Sequence, residues 1–258
     1  MKVTVQTVLF FTAALVPGVL HAASTPANAL LVLEKAQNSL VIVDPGNLQV
    51  VARVPAGENP HEVAVADDGL TAYISNYSGN TISRVDLTGQ KPLPPVDLGA
   101  LRQPHGLEFV GGKLYFTAEG SKVVGRYDPV TGKVDWVMGT GQNRTHMVIA
   151  SKDLRTVLTS NISSSTISMI ENQGRDWAIT NVPVGRGSEG FDLTPDGKEL
   201  WVANAGDHTI SVIDIAQKKV IATLPSTNNA NRLKITRDGK YAFVSNLGGS
   251  GLLVIDVA

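Results

Sequence analysis

Cysteine is absent from the 258-residue chain. That single lack excludes disulfides, thiolate metal sites, catalytic thiols and a lipidated N-terminal cysteine. Charged residues are scarce too, at 17%, and they balance to a formal net charge of −1. No broad basic field exists to draw a phosphate backbone, so nucleic acid is not an expected partner. There is no phosphate-binding loop, no Gly-x-Ser-x-Gly elbow, no His-Glu-x-x-His pair and no Cys-x-x-Cys-His haem attachment. Nucleophile-based hydrolysis therefore has no motif behind it. Helical periodicity is missing beyond the first two dozen residues. What is present is glycine, with 25 copies, alongside Val, Ser and Thr in a chain that is 43% hydrophobic. Such a composition is that of a soluble globular protein with a large core, made of short strands and turns.

The N-terminus reads differently. Lys2 precedes the apolar run Val8–Val16, Pro17-Gly18 breaks it, and Leu20-His21-Ala22 supplies small residues for cleavage. Residues 1–22 are expected to be a secretory signal peptide, and 23–28 a short polar spacer. Pro17 argues against an uncleaved anchor, which needs about twenty apolar residues without a breaker. The expected location is periplasmic or secreted, with no membrane association after cleavage. Removing 1–22 deletes one charge, Lys2, and takes the net charge to −2.

From residue 29 onward the sequence repeats. Ser39–Asp44, Thr81–Asp86, Val123–Asp128, Thr166–Glu171, Thr209–Asp214 and Gly251–Asp256 superimpose, with closing acids spaced 42, 42, 43, 43 and 42 residues apart. Ten residues before four of those acids stand Asn76, Asn161, Asn204 and Asn246. Hairpin signals precede the second strands: Asp68-Gly69, Gly111-Gly112, Asp196-Gly197 and Asp238-Gly239. Glycine accepts the positive φ these turns require. In one copy the strands are expected at Val63–Ala66, Thr71–Ser75, Thr81–Asp86 and around Val96–Leu98. Four-stranded units of forty-odd residues are propeller blades, so 29–258 is expected to be one all-β propeller domain.

These segments resemble the YVTN repeat family of β-propellers, a group that includes YncE-like and lactonase-like members. The likeness runs over nearly all of 29–258 and is closest in the copy from Glu189 to Leu224. It implies the fold. For function it implies only a choice among binding, structural and lactonase-like roles. The first repeat begins at its second strand and the last stops after its third, which counts to twenty-two strands, or five and a half blades. Seven is usual in the family. The chain is therefore expected to be C-terminally short of a closed seven-bladed ring by about a blade and a half, unless closure uses fewer blades or a second copy of the chain.

At the start of each innermost strand one repeat position holds His61, His105, His146, Glu189 and Asn231. Three of the chain's five histidines fall there. Imidazoles and a carboxylate converging on an axis suit a divalent metal held by His61, His105 and His146, with Glu189 or His146 as a general acid–base group. Arg144 and Glu62 add charge beside them. Against this stands a structural reading, in which each His closes the top of an inter-blade layer. The expectation drawn is a ligand-binding face made of His61, Glu62, His105, Arg144, His146, Glu189 and Asn231. It would take a small molecule or a protein, without catalysis and with no cofactor beyond that possible metal. The alternatives are a lactonase-like hydrolase and a purely structural scaffold.

Overall fold

In a computed structural model, residues 24–226, 229–249 and 251–257 are described. The expected signal peptide and the first residue of the spacer lie outside them. Among the described residues are twenty-two strands in six antiparallel sheets, each sheet a simple meander. The sheets span 30–55, 60–97, 104–139, 145–183, 188–225 and 230–256, and are blades one to six. The first and last have three strands and the middle four have four. No helix among the described residues is long and apolar enough to cross a membrane.

The blade count corrects the expectation of five and a half blades in an incomplete seven-bladed ring. The strand total is as counted, but each partial repeat makes a sheet of its own, giving six blades. Three paired strands are enough, because a sheet needs only one apolar face against its neighbour. Blade one lacks an innermost strand and blade six an outermost one. Strand limits shift as well. The innermost strand of blade two is Pro60–Val65 and the outermost Lys91–Asp97, so His61 and Glu62 belong to the strand rather than to a loop before it.

Alternation along the strands builds one apolar seam between each successive pair of blades. Leu40, Ile42 and Val54 meet Ala72, Ile74 and Val85, and Tyr73 and Ile82 meet Leu114 and Phe116. Tyr115 and Val124 pack on Val157 and Ile170, Leu158 and Met169 on Leu200 and Ile213, and Trp201 and Val212 on Leu233 and Val244. Each fully buried Leu or Ile contributes roughly 1.5–3 kcal/mol relative to exposure. The far face of blade six carries the same kind of residue uncovered. Phe243 is 36% exposed, while Trp201 at the matching place in blade five is 5% exposed.

Polar side chains lock the repeat. Asn76 reaches Thr81 Oγ1 at 2.8 Å and Ser83 Oγ at 3.0 Å. Asn161 repeats this with Thr166 and Ser168, and the Asn204 amide lies equally close to the Thr209 and Ser211 hydroxyls. Gly57 and Gly185 make room for them, since a Cβ at either would collide with the Asn76 or Asn204 side chain. Asp44, Asp86 and Asp128 each accept an N–H from the backbone two residues on, which closes the following turn.

Candidate functional site

The innermost strands of blades two to six surround a central channel of about 450 Å³, lined by residues such as Val63, Leu107, Val148, Phe191 and Leu233. One mouth of that channel is built by a backbone irregularity that recurs in all five. Register shifts by one residue between Pro60 and Val63, Pro104 and Leu107, Thr145 and Val148, Ser188 and Phe191, and Ala230 and Leu233. Each shift is a β-bulge, which bends the strand and re-aims a side chain. The bulges hold His61, His105, His146, Glu189 and Asn231. A positive-φ residue stands just before each strand start: Asn59, Gln103, Arg144, Gly187 and Asn229. Gly106 and Gly190 let the strands come together, for a Cβ at Gly106 would lie 2.5 Å from the His146 carbonyl oxygen.

The three histidines form a row of mutually tilted rings. Ring centroids of His61 and His105 are 4.3 Å apart, and those of His105 and His146 are 3.7 Å apart. At one end Lys35 Nζ lies 3.0 Å from His61 Nε2. At the other, His146 Nδ1 shares a 2.5 Å hydrogen bond with Glu119 Oε1. His146 Nε2 lies 2.9 Å from Glu189 Oε2, a charge contact rather than an aligned hydrogen bond. Tyr77 donates to Glu119 Oε2 at 2.6 Å, and Arg144 approaches the same oxygen at 3.6 Å. Arg232 ties the ring across the axis, 2.6 Å from Glu62 Oε1 and 3.2 Å from Glu189 Oε2.

Electrostatics divides these groups. Burial alone would lower the His146 pKa, but the hydrogen bond to Glu119 and the close Glu189 carboxylate outweigh it and hold the imidazole above its ordinary value. Burial likewise opposes ionisation of Glu119 and Glu189, and their contacts with His146 reverse it, so both carboxyls titrate low. A buried carboxylate–imidazole–carboxylate chain results. His61 is pushed down to about 4, by burial first and then Lys35. His105 is held far below the ordinary imidazole range by burial, reinforced by the flanking histidines. It is therefore neutral, it is 1% exposed, and neither ring nitrogen has a hydrogen-bond partner. An unsatisfied buried polar group costs about 1–3 kcal/mol. Burial, with the Glu119 hydrogen bond, pushes the Tyr77 hydroxyl up to about 12.

Above the row lies a cavity of about 250 Å³, whose polar lining includes Lys35, Tyr77, Arg144, Glu189, Asn231 and Arg232. A larger groove of about 560 Å³ runs along Pro183, Gly185 and Val220, with Asp207 as its one ionisable side chain. The ionisable side chains cluster at the mouth instead. All seven residues expected there from sequence are brought together, with Glu62 held behind the cavity by Arg232. Lys35, Tyr77 and Glu119 were not foreseen. They share one repeat position, the residue after the second strand of blades one, two and three, at spacings of 42. That spacing was a usable signal. Among the described residues, potential ligand atoms of His105, His146 and Glu119 lie within 4.8 Å of one another, a trio that differs from the expected His61, His105 and His146.

Residues 112–235 match the family described as YNCE-like beta-propeller. No curated protein matches the chain in sequence. Among solved structures, a chain of the Kuenenia stuttgartiensis hydrazine synthase superimposes with a TM-score of 0.77 at 18% identity, covering 89% of this chain and 80% of that one. A protein of unknown function from Desulfotomaculum acetoxidans gives 0.78 at 13% identity, over 89% and 75%. The Bacteroides uniformis protein named a "putative 6-phosphogluconolactonase" gives 0.72 at 17% identity, over 88% and 76%. At such identities these likenesses speak to the fold.

Proposed function

We propose, from the match of residues 112–235 to the YNCE-like beta-propeller family, an exported binding protein whose channel mouth captures a small anionic ligand bearing a carboxylate or phosphate. One observation carries the reading. Lys35, Arg144 and Arg232 converge on the cavity above the histidine row, and among the described residues Glu189 is the only carboxylate in its lining. The Lys35 ammonium is held below its ordinary pKa by burial, with Arg232 adding to the effect against the opposing pull of Glu62. A neutral imidazole is its hydrogen-bond partner. An incoming anion would supply the negative charge this corner lacks, in a concave site with convergent polar groups.

The test is calorimetric titration of chelator-treated protein with inorganic phosphate, citrate and a sugar-acid phosphate. Binding by at least one probe is expected, weakened tenfold or more in Lys35→Ala and in Arg144→Ala, both with unchanged far-UV spectra. If no probe binds, or both variants bind like the parent, the reading fails. Export rests on the pattern of residues 1–22 and is checked by fractionation and N-terminal sequencing. A mature start near residue 23 in the periplasm or medium supports it, and an intact Met1 in the cytoplasm defeats it.

A second reading, a lactonase-like hydrolase, is favoured by the Glu119–His146–Glu189 chain, since a carboxylate-backed imidazole can take a proton from water. It requires turnover on a lactone panel that Glu189→Gln abolishes in protein that still folds, as judged by an unchanged far-UV spectrum. Absence of turnover in the parent chain excludes it.

A further inference from the structure

We propose that His105, His146 and Glu119 form a binding site for one divalent transition-metal ion of the zinc class at the base of the mouth. This rests on the reading of the mouth as a binding site and deepens it by naming a resident cation beneath the anion. Each of the three residues offers a ligand atom, and all three atoms lie within 4.8 Å of one another. Two imidazoles and a carboxylate suit zinc, cobalt, nickel or copper better than magnesium or calcium, which prefer oxygen alone.

His105 supplies the independent argument. It is buried, and both of its ring nitrogens are unpartnered, although buried polar side chains are nearly always satisfied. It faces His146 at 3.7 Å between ring centroids. A structural histidine closing an inter-blade layer would hydrogen-bond a backbone group, and this one does not. An ion shared with His146 and Glu119 gives it a partner.

The other two ligands are already oriented as metal ligands are. Glu189 faces Nε2 of His146, leaving Nδ1 for the ion. Tyr77 holds the second oxygen of Glu119 through its hydroxyl. On loading, the ion displaces the proton shared by His146 and Glu119, and that proton leaves to solvent. Three protein ligands leave a position open toward the cavity, where water or an anion can bind. Arg144 and Arg232, on the cavity wall, would then balance the anion rather than the metal.

The experiment uses the full mature chain, stripped with a chelator and titrated with zinc against a chromophoric indicator. Cobalt is then added to read its visible d–d absorption. One ion per chain is expected, binding at micromolar concentration or tighter, with cobalt bands of tetrahedral intensity. His105→Ala and the near-isosteric Glu119→Gln should each weaken zinc at least 100-fold, and Tyr77→Phe about 10- to 100-fold. His208→Ala, outside the mouth, should bind like the parent. Thermal melts identify any variant that fails to fold, and Glu119→Gln then carries the test alone. Zinc binding weaker than about 100 µM in the parent, or unchanged in Glu119→Gln, overturns the proposal. Since anion titrations are run on metal-free protein, loss of this proposal and loss of the anion reading are separate results.

Discussion

Glu108 offers the sharpest energetic test of the channel. It lies on the Pro104–Val110 strand of blade three and lines the channel below the histidine row. Burial raises its carboxyl pKa to about 7, with Lys234 opposing and Asp192 adding to the rise. Below the ordinary value of 4.5 the group is neutral in both folded and unfolded chains, and it contributes no penalty. Above about 7 it is ionised in both, and the folded state bears the cost of a buried charge. Stability is therefore lost as pH rises from about 4.5 through about 7. At about 1.4 kcal/mol per pH unit, the gap between 4.5 and 7 is worth on the order of 3 kcal/mol. Glu108→Gln keeps the shape without the titration. Its advantage over the parent should be near zero at pH 4.5 and reach on the order of 3 kcal/mol by pH 8. Urea unfolding of both proteins at half-unit pH steps reads this difference, and common titrations of the other groups cancel in it. A difference that stays flat with pH, or shrinks as pH rises, would refute the buried-charge argument.

Other substitutions test how the mouth and seams are built. Gly106→Ala drives a Cβ to 2.5 Å from the His146 carbonyl oxygen and 2.7 Å from Met147 Cα. Overpacking against backbone should cost about 1–3 kcal/mol in denaturant unfolding, and a neutral result would show that the strand approach is loose. Asn161→Ala leaves the buried hydroxyls of Thr145 and Ser168 short of a partner, and calorimetric melts should show a loss of about 1–3 kcal/mol. Leu200→Ala empties the fully buried seam between blades four and five and should cost about 2–5 kcal/mol in denaturant midpoint. Val130→Ala, at a side chain 91% exposed, should stay within about 0.5 kcal/mol by the same assay.

The repeat was legible because its marks are backbone requirements. A closing acid that accepts turn N–H groups, an Asn that bridges Thr and Ser five and seven residues on, and a Gly at four of the hairpins recur because the blades have the same turns to make; in blade four Leu154 takes the positive φ instead. The grouping of strands was less legible. Residues 30–55 and 230–256 each lack one strand, and nothing local says whether three strands stand alone as a sheet or complete one another. Packing decides it, since Leu40 and Ile42 already find a seam on blade two. The bulges were hidden for a different reason. Parity along His61, Val63 and Val65 describes an unbroken strand, whereas the extra residue falls between Pro60 and Val63 and turns the histidine toward the mouth.

The same distinction explains which site residues could be read. His61, His105, His146 and Glu189 stood out because similar chemistry recurred at one repeat position. Lys35, Tyr77 and Glu119 share a position just as strictly, but carry three unrelated side chains, and Leu247 is their counterpart in blade six. A search for recurring residue types passes over such a position. Its variety is what makes it informative, because a place where the backbone is the same and the side chain is free to differ is where one ring can acquire distinct groups on different sides. Lys35 ends the histidine row on one side, Glu119 on the other, and Tyr77 fixes Glu119. The repeat thus supplies a symmetric frame, and the asymmetry of this second position turns three adjacent imidazoles into a site with a cationic end and an acidic end.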